Sequence, residues 1–174
     1  GLDVDIRRGD VHALVGESGS GKTVASRAMM GVLHSPPAEI RSGSVLFGGN
    51  DVLAMKAEAR RRMRGSFMGM IFQEPGKYLN PSLTVQRQIV ESLTLHKRMT
   101  PESALERARE LMQHVGLAPA ERILHSYAHE LSGGMKQRAM IAMAIACDPA
   151  FLVADEPTTA LDVTIQDQIL RLLL

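Results

Sequence analysis

The chain has 174 residues, 45% of them hydrophobic, which is enough for one domain with a sizeable core. Aromatic residues make up only 3%, so that core must be built from Leu, Ile, Val, Ala and the eleven Met. Lys plus Arg number 20 against 19 for Asp plus Glu. This balance lacks the clustered basic excess of a nucleic-acid surface, and no nucleic-acid partner is expected.

The run Arg60, Arg61, Arg62, Arg64 is the one local exception, and it reads as a solvated helix face rather than a phosphate or lipid contact. The single cysteine, Cys147, cannot form an intrachain disulfide. A reducing, cytosolic compartment is expected, with Cys147 as a small buried hydrophobe rather than a reactive thiol. No apolar stretch approaches the roughly 20 residues of a membrane helix, and no signal peptide is visible, so membrane association is expected through a partner.

In chain order, Asp3-Val4-Asp5-Ile6-Arg7 alternates polar and apolar residues, predicting a half-buried strand that turns at Arg8-Gly9-Asp10. The apolar run Val11-His12-Ala13-Leu14-Val15 predicts a strand buried on both faces. It feeds the glycine-rich segment Gly16 to Gly21 and then a helix from Lys22 to Met30, ending near Gly31. Pro36-Pro37 marks a loop, and Ser44-Val45-Leu46-Phe47 with Gly48-Gly49-Asn50 predicts a strand and tight turn in an antiparallel layer. A short charged helix is predicted over Asp51 to Arg64 and a strand over Ser66 to Phe72, after which Gln73-Glu74-Pro75-Gly76 breaks regular structure.

From Leu83 to about Glu130 the signals are helical. Thr100-Pro101 offers an N-cap and a proline at the first helical position. Ala104, Leu105, Ala108, Leu111, Met112 and Val115 then form one apolar stripe, closed by Gly116. A further helix is predicted from Met135 to Cys147, stopped by Asp148-Pro149, and a buried strand over Phe151 to Ala154. The expected class is α/β, with parallel strands and ligands at their carboxyl ends. Residues 1–82 read as a core with an antiparallel layer, 83–130 as an inserted helical block, and 131–174 as a return to the core. Both ends read as cut, because the chain opens inside a strand pattern and closes inside a helical one at Leu172-Leu173-Leu174.

Three segments carry chemistry. Gly16-Glu17-Ser18-Gly19-Ser20-Gly21-Lys22-Thr23 matches G-x-x-x-x-G-K-[ST] in full. Glycines let successive backbone N–H groups turn toward phosphate oxygens, and the following helix presents its positive end to the same anion. Gly16, Ser18, Gly19, Ser20 and Gly21 are the expected phosphate cradle, Lys22 reaches the β and γ phosphates, and the Thr23 hydroxyl binds Mg²⁺. The second segment is Phe151-Leu152-Val153-Ala154-Asp155-Glu156, an apolar strand running into two carboxylates. Beside a phosphate loop, Asp155 suits Mg²⁺ coordination, and Glu156 suits deprotonation of the water that attacks the γ-phosphate.

The third segment, Leu131-Ser132-Gly133-Gly134-Met135-Lys136-Gln137, resembles the signature of ATP-binding cassette (ABC) proteins. It stands 110 positions after Lys22, just ahead of the acidic strand. Gln73, after Met68-Gly69-Met70-Ile71-Phe72, resembles the Q-loop glutamine that senses Mg²⁺ and the γ-phosphate. Thr159-Ala160-Leu161-Asp162 resembles the D-loop, with Thr159 where Ser is commoner and Asp162 at the nucleotide. The finer resemblance is to oligopeptide, dipeptide and nickel importer ATPases. It rests on Gln73-Glu74-Pro75, Leu79-Asn80-Pro81-Ser82-Leu83-Thr84-Val85, Tyr127-Ala128-His129-Glu130 and Asp155-Glu156-Pro157-Thr158-Thr159-Ala160-Leu161-Asp162. His129 reads there as structural rather than catalytic.

The resemblance implies a phosphate-loop ABC-cassette core and a Mg²⁺-dependent ATPase with Glu156, Lys22 and Gln73 catalytic and Thr23, Gln73 and Asp155 at the metal. It also implies a head-to-tail dimer in which Ser132, Gly133 and Gly134 of one subunit meet the phosphate loop of another. Transmembrane permease subunits and, indirectly, a solute-binding protein are the further partners it implies, at the cytoplasmic face of a bacterial plasma membrane. The family's adenine-stacking aromatic and switch histidine are not among the 174 residues, so weak ATP binding and little turnover are expected of this stretch alone. A DNA-repair ABC ATPase is disfavoured, since Gln73 and Ser132 stand only 59 positions apart without sustained heptads. A translation-associated ABC protein, or one accessory to carbon–phosphorus metabolism, is the alternative.

Overall fold

The structure, a computed structural model, describes residues 2–33 and 36–174. Gly1, where the alternating pattern opens, lies outside them. The chain divides into two compact units, residues 1–64 and 65–174.

In the first unit, α1 (Lys22–Met29) follows the glycine-rich loop directly. Met30 and Val52 are buried, and a Cβ placed at Gly31 would come 2.8 Å from Arg60 Cδ and 3.3 Å from Val52 Cγ1. Gly31 therefore admits the aliphatic stem of Arg60, a cationic side chain packing through its methylenes. Arg64 Nη1 donates to the Gly31 carbonyl at 3.1 Å, tying α2 (Ala57–Ser66) to the end of α1.

β1 (Leu46–Phe47) and β2 (Asn50–Asp51) form an antiparallel hairpin with Phe47 opposite Asn50. Gly48 and Gly49 both take positive φ, 55° and 80°, as a two-residue hairpin turn requires. The helix predicted over Asp51 to Arg64 begins six residues later. The Asp51 carboxylate instead accepts from Val45 N and Leu53 N, which holds its own segment in the hairpin. Half of the arginine run is the solvated face expected of it: Arg61 and Arg62 are exposed and pair with Glu58, and their guanidiniums hold its carboxyl down at about 2. Arg60 and Arg64 instead turn toward Gly31, one through its stem and one through a hydrogen bond, and are half-buried.

The two strands predicted over 3–7 and 11–15 are not formed. The turn between them is, with Asp10 N donating to Arg7 O at 3.0 Å and Gly9 at φ 87°. The flanking segments make no ladder, and Val11 and Val15 stay 73% and 89% exposed. A strand is defined by its neighbours, and the one parallel ladder among the described residues joins two other segments.

That ladder is the centre of the second unit. β3 (Met68–Ile71) pairs in parallel with β4 (Phe151–Ala154), Met68 opposite Phe151 and Ile71 opposite Ala154. All four β3 residues are buried. α7 (Gly133–Ile145) covers the pair so closely that a Cβ on Gly69 would sit 2.6 Å from the Ala144 carbonyl oxygen.

Between β3 and α7 lie α3 (Pro75–Tyr78), α4 (Val85–Lys97), α5 (Pro101–His114) and α6 (Ala120–His125). The short α3 occupies part of the segment expected to be irregular, with proline opening it. α4 buries Val85, Ile89 and Leu93 at spacings of four, and Thr84 caps it by accepting from Arg87 N. α5 is capped by Thr100, as predicted. Its stripe buries Ala104, Ala108, Leu111 and Met112, with Val115 just beyond and Leu105 only half-buried. These faces share one apolar core with Ile71, Ile141, Leu161 and Ile169, the last from α8 (Val163–Leu173). Cys147 is buried in it, and burial pushes its thiol pKa up.

Candidate functional site

The second unit assembles its polar residues through strand register. Because Ile71 lies opposite Ala154, and Asp155 N extends the ladder to Ile71 O at 2.9 Å, Gln73 and Glu156 each fall two residues past the last pair. They meet there: Gln73 Nε2 donates to Glu156 Oε2 at 2.9 Å across 83 positions of sequence. This is the carboxyl end of a parallel pair, the edge where α/β sheets bind ligands. Glu156 takes a positive φ of 50°, a conformation uncommon outside glycine that occurs where surrounding bonds over-determine it. Those bonds come from Gln73 and from Thr159, whose hydroxyl donates to the Glu156 carbonyl at 3.1 Å and to its carboxylate at 3.2 Å. Both Gln73 and Glu156 are exposed, whereas Asp155 is 7% exposed.

Ser132 opens α7. Its hydroxyl accepts from Met135 N at 3.3 Å, and Gly133 and Gly134 form the first helical turn, with no acidic residue there. Ser132 and Gly133 are exposed, so their amides face solvent at the positive end of a 13-residue helix. Gly134 lies against the segment after β4: a Cβ there would meet Ala160 O at 3.4 Å. Asp162, expected at the nucleotide, is the N-cap of α8, accepting from Ile165 N at 3.1 Å.

The first unit carries the glycine-rich loop. Gly19 and Gly21 adopt φ of 80° and 95°, the left-handed region glycine enters without a Cβ penalty. The loop is tight, since a Cβ on Gly16 would come 2.7 Å from Ser20 Oγ. Lys22 Nζ folds back across it to donate to Gly16 O at 2.7 Å and Glu17 O at 2.8 Å. Gly16, Ser18, Gly19 and Ser20 are exposed, and Gly21, the N-cap of α1, makes no side-chain cap bond. Exposed amides, an ammonium and the Thr23 hydroxyl at a helix N-terminus form a donor set that fits a polyphosphate. The hard oxygens of Thr23, Gln73 and Asp155 are of the kind Mg²⁺ takes. Gln73 Oε1 is left for such a role, because its amide nitrogen is spent on Glu156.

Reasoning from sequence missed Gln137. It is 1% exposed in an otherwise apolar face, and its Nε2 donates to the Pro157 carbonyl at 2.8 Å. Gln166 Nε2 likewise donates to the carbonyls of Thr158 and Leu161. The available signal was a lone amide inside a helix whose neighbours are Ala, Met and Ile. His129 stacks on Tyr127 with ring centroids 5.6 Å apart.

A glycine-turned phosphate loop opening a helix, with an acidic strand end and a serine-capped helix, defines a phosphate-loop nucleotide-binding protein. The sequence profile of the ABC transporter family matches residues 1–159, and the chain belongs to that family. It is 49% identical over 173 residues to the oligopeptide transport ATP-binding protein AppD of Bacillus subtilis, covering 99% of this chain and 53% of AppD. It is also 49% identical over 173 residues to the dipeptide transport ATP-binding protein DppD of Lactococcus lactis, covering 99% of this chain and 49% of DppD. The chain thus spans about half the length of these relatives. Among solved structures it superposes on a dimeric post-hydrolysis state of the ATP-binding cassette MJ0796 bound to ADP and Pi. The TM-score is 0.86 at 28% identity, over 98% of this chain and 70% of that one. The fold is that of an ABC ATPase cassette. Among the described residues no helix is long and apolar enough to cross a membrane.

Proposed function

We propose that this chain is the ATP-hydrolysing part of an importer subunit whose cargo is peptides. The carrying observation is the Gln73–Glu156 hydrogen bond at the carboxyl end of the β3–β4 pair. It aims a carboxylate held by two bonds, from Gln73 and Thr159, at the place where α/β sheets take ligands. In this reading the loop amides of Gly16, Ser18, Gly19, Ser20 and Gly21, with Lys22, bind the phosphates of ATP. Lys22 exchanges its two carbonyl contacts for phosphate oxygens. Thr23, Asp155 and Gln73 supply the oxygens for Mg²⁺, which when bound neutralises charge on the phosphates. Glu156 accepts the proton of the attacking water, and Gln73 and Thr159 fix which way its carboxylate faces.

The exposed serine-capped start of α7 is a second anion site that needs a nucleotide brought by another copy. That supports the head-to-tail dimer, as does the dimeric assembly of the MJ0796 cassette. Names of relatives, which print oligopeptide and dipeptide transport, support peptides over nickel as cargo. In this reading the subunit works beneath transmembrane permease subunits and, indirectly, a solute-binding protein. Replacing Glu156 with Gln in the full-length polypeptide keeps the geometry but removes the base. With Mg²⁺ and ATP it should stop turnover and shift the protein to a dimer in light scattering. A variant that still hydrolyses ATP at the wild-type rate would sink the assignment.

A further inference from the structure

The segment 156–162, which carries Glu156, lies beyond the last ladder bond at Asp155 and is held at its back by side-chain amides. Pro157 cannot donate a backbone hydrogen bond, and its carbonyl accepts from Gln137 Nε2 at 2.8 Å. Gln137 is 1% exposed and sits on the second turn of α7, one residue beyond the first turn that Ser132 caps. Its Oε1 is buried without a hydrogen-bond partner, so the side chain is kept in the core at a cost that an apolar residue would avoid. On the preceding turn, Gly134 lies close to the same segment, since a Cβ there would meet Ala160 O at 3.4 Å and Leu161 Cδ2 at 3.6 Å. The far end of the segment is fixed separately, by Gln166 to the carbonyls of Thr158 and Leu161.

We infer that Gln137 is a positioning residue for hydrolysis: its bond to Pro157 links the helix that begins at Ser132 to the backbone next to Glu156. Whatever anchors the start of α7 then also fixes where the Glu156 carboxylate points. The bond reaches the residue immediately after Glu156, whose φ of 50° leaves it dependent on its neighbours for orientation. A displaced general base loses rate without losing nucleotide, because the phosphates are held elsewhere.

This inference rests on Glu156 being the base, and the test separates the two. In the full-length polypeptide, Gln137→Leu removes the donor and the unpaired acceptor together, and Gln137→Glu keeps the shape but cannot donate when ionised. Both should lower kcat for ATP by about ten- to a hundredfold while the KM for ATP stays within about twofold. The same Gln137→Leu change placed on Glu156→Gln should leave that variant's residual single-turnover rate unaltered, since its effect runs through the missing carboxylate. A general loss of structure would slow both backgrounds alike, and that outcome overturns the inference. So does a full wild-type kcat in Gln137→Leu. If Glu156→Gln itself turns over normally, the base assignment fails first, and this inference falls with it.

Discussion

Gly69→Ala tests how closely α7 is laid on the parallel pair. The added Cβ would lie 2.6 Å from the Ala144 carbonyl oxygen and 3.0 Å from both Leu152 Cδ1 and Pro149 Cγ. Ordinary contact begins at 3.4 Å, so strand and helix must part by about 0.8 Å. The oxygen belongs to backbone and cannot swing aside, and α7 is itself locked into the core, with Ile141 and Ala142 both fully buried. Overpacking of this kind costs about 1–3 kcal/mol. Removing a strand glycine returns roughly 0.5–1 kcal/mol through the unfolded chain, so the steric term wins. The net loss, centred at about 1 kcal/mol and reaching about 2.5 kcal/mol, corresponds to a fall in Tm of roughly 2–4 °C, and up to about 10 °C, for a protein of this size. Thermal melts of the full-length polypeptide should be run beside Gly76→Ala, where an added Cβ meets nothing within 4 Å. Gly76→Ala should melt within error of wild type or slightly above it. A Gly69→Ala protein that melts with it would refute the packing.

Asp162→Ala removes the acceptor of Ile165 N and should cost about 0.5–2 kcal/mol in urea unfolding, whereas Asp162→Asn keeps the cap and most of the stability. Equal midpoints for the two would show that Asp162 does not cap α8. Burial raises the Cys147 pKa, so the folded state holds that proton more tightly than the unfolded chain does. The associated stability is intact below the ordinary thiol value and drains away as the pH climbs past it toward the folded value. Cys147→Ala should flatten that alkaline decline in a stability–pH profile, and an unchanged slope would remove Cys147 as its source.

The chemistry-bearing segments were legible because each is local. A phosphate loop needs eight consecutive residues, and the Ser132 cap needs three. The helices of the 83–130 block were legible from the spacing of Ala104, Ala108, Leu111 and Met112 and from the cap at Thr100. What failed was non-local. The alternation at 3–7 and the apolar run at 11–15 carry the pattern of strands, but a pattern cannot supply the neighbouring ladder a strand requires. The residues after Asp51 carry helix-forming charge, but the carboxylate's bonds to Val45 N and Leu53 N delay the helix to Ala57. The pairing of Gln73 with Glu156 depends on register between strands 83 positions apart, which no local signal encodes. Gln137 was hidden for the same reason, since its partner Pro157 is 20 residues away.

The most direct measurement is nucleotide binding and phosphate release by the full-length polypeptide and its Lys22→Ala variant, in Mg²⁺ and ATP. Lys22 gathers the loop through two carbonyls and is its one ammonium, so the wild type should bind and split ATP while the variant loses both affinity and turnover. Equal affinity and equal phosphate release in the two proteins would contradict the phosphate-loop account at its root.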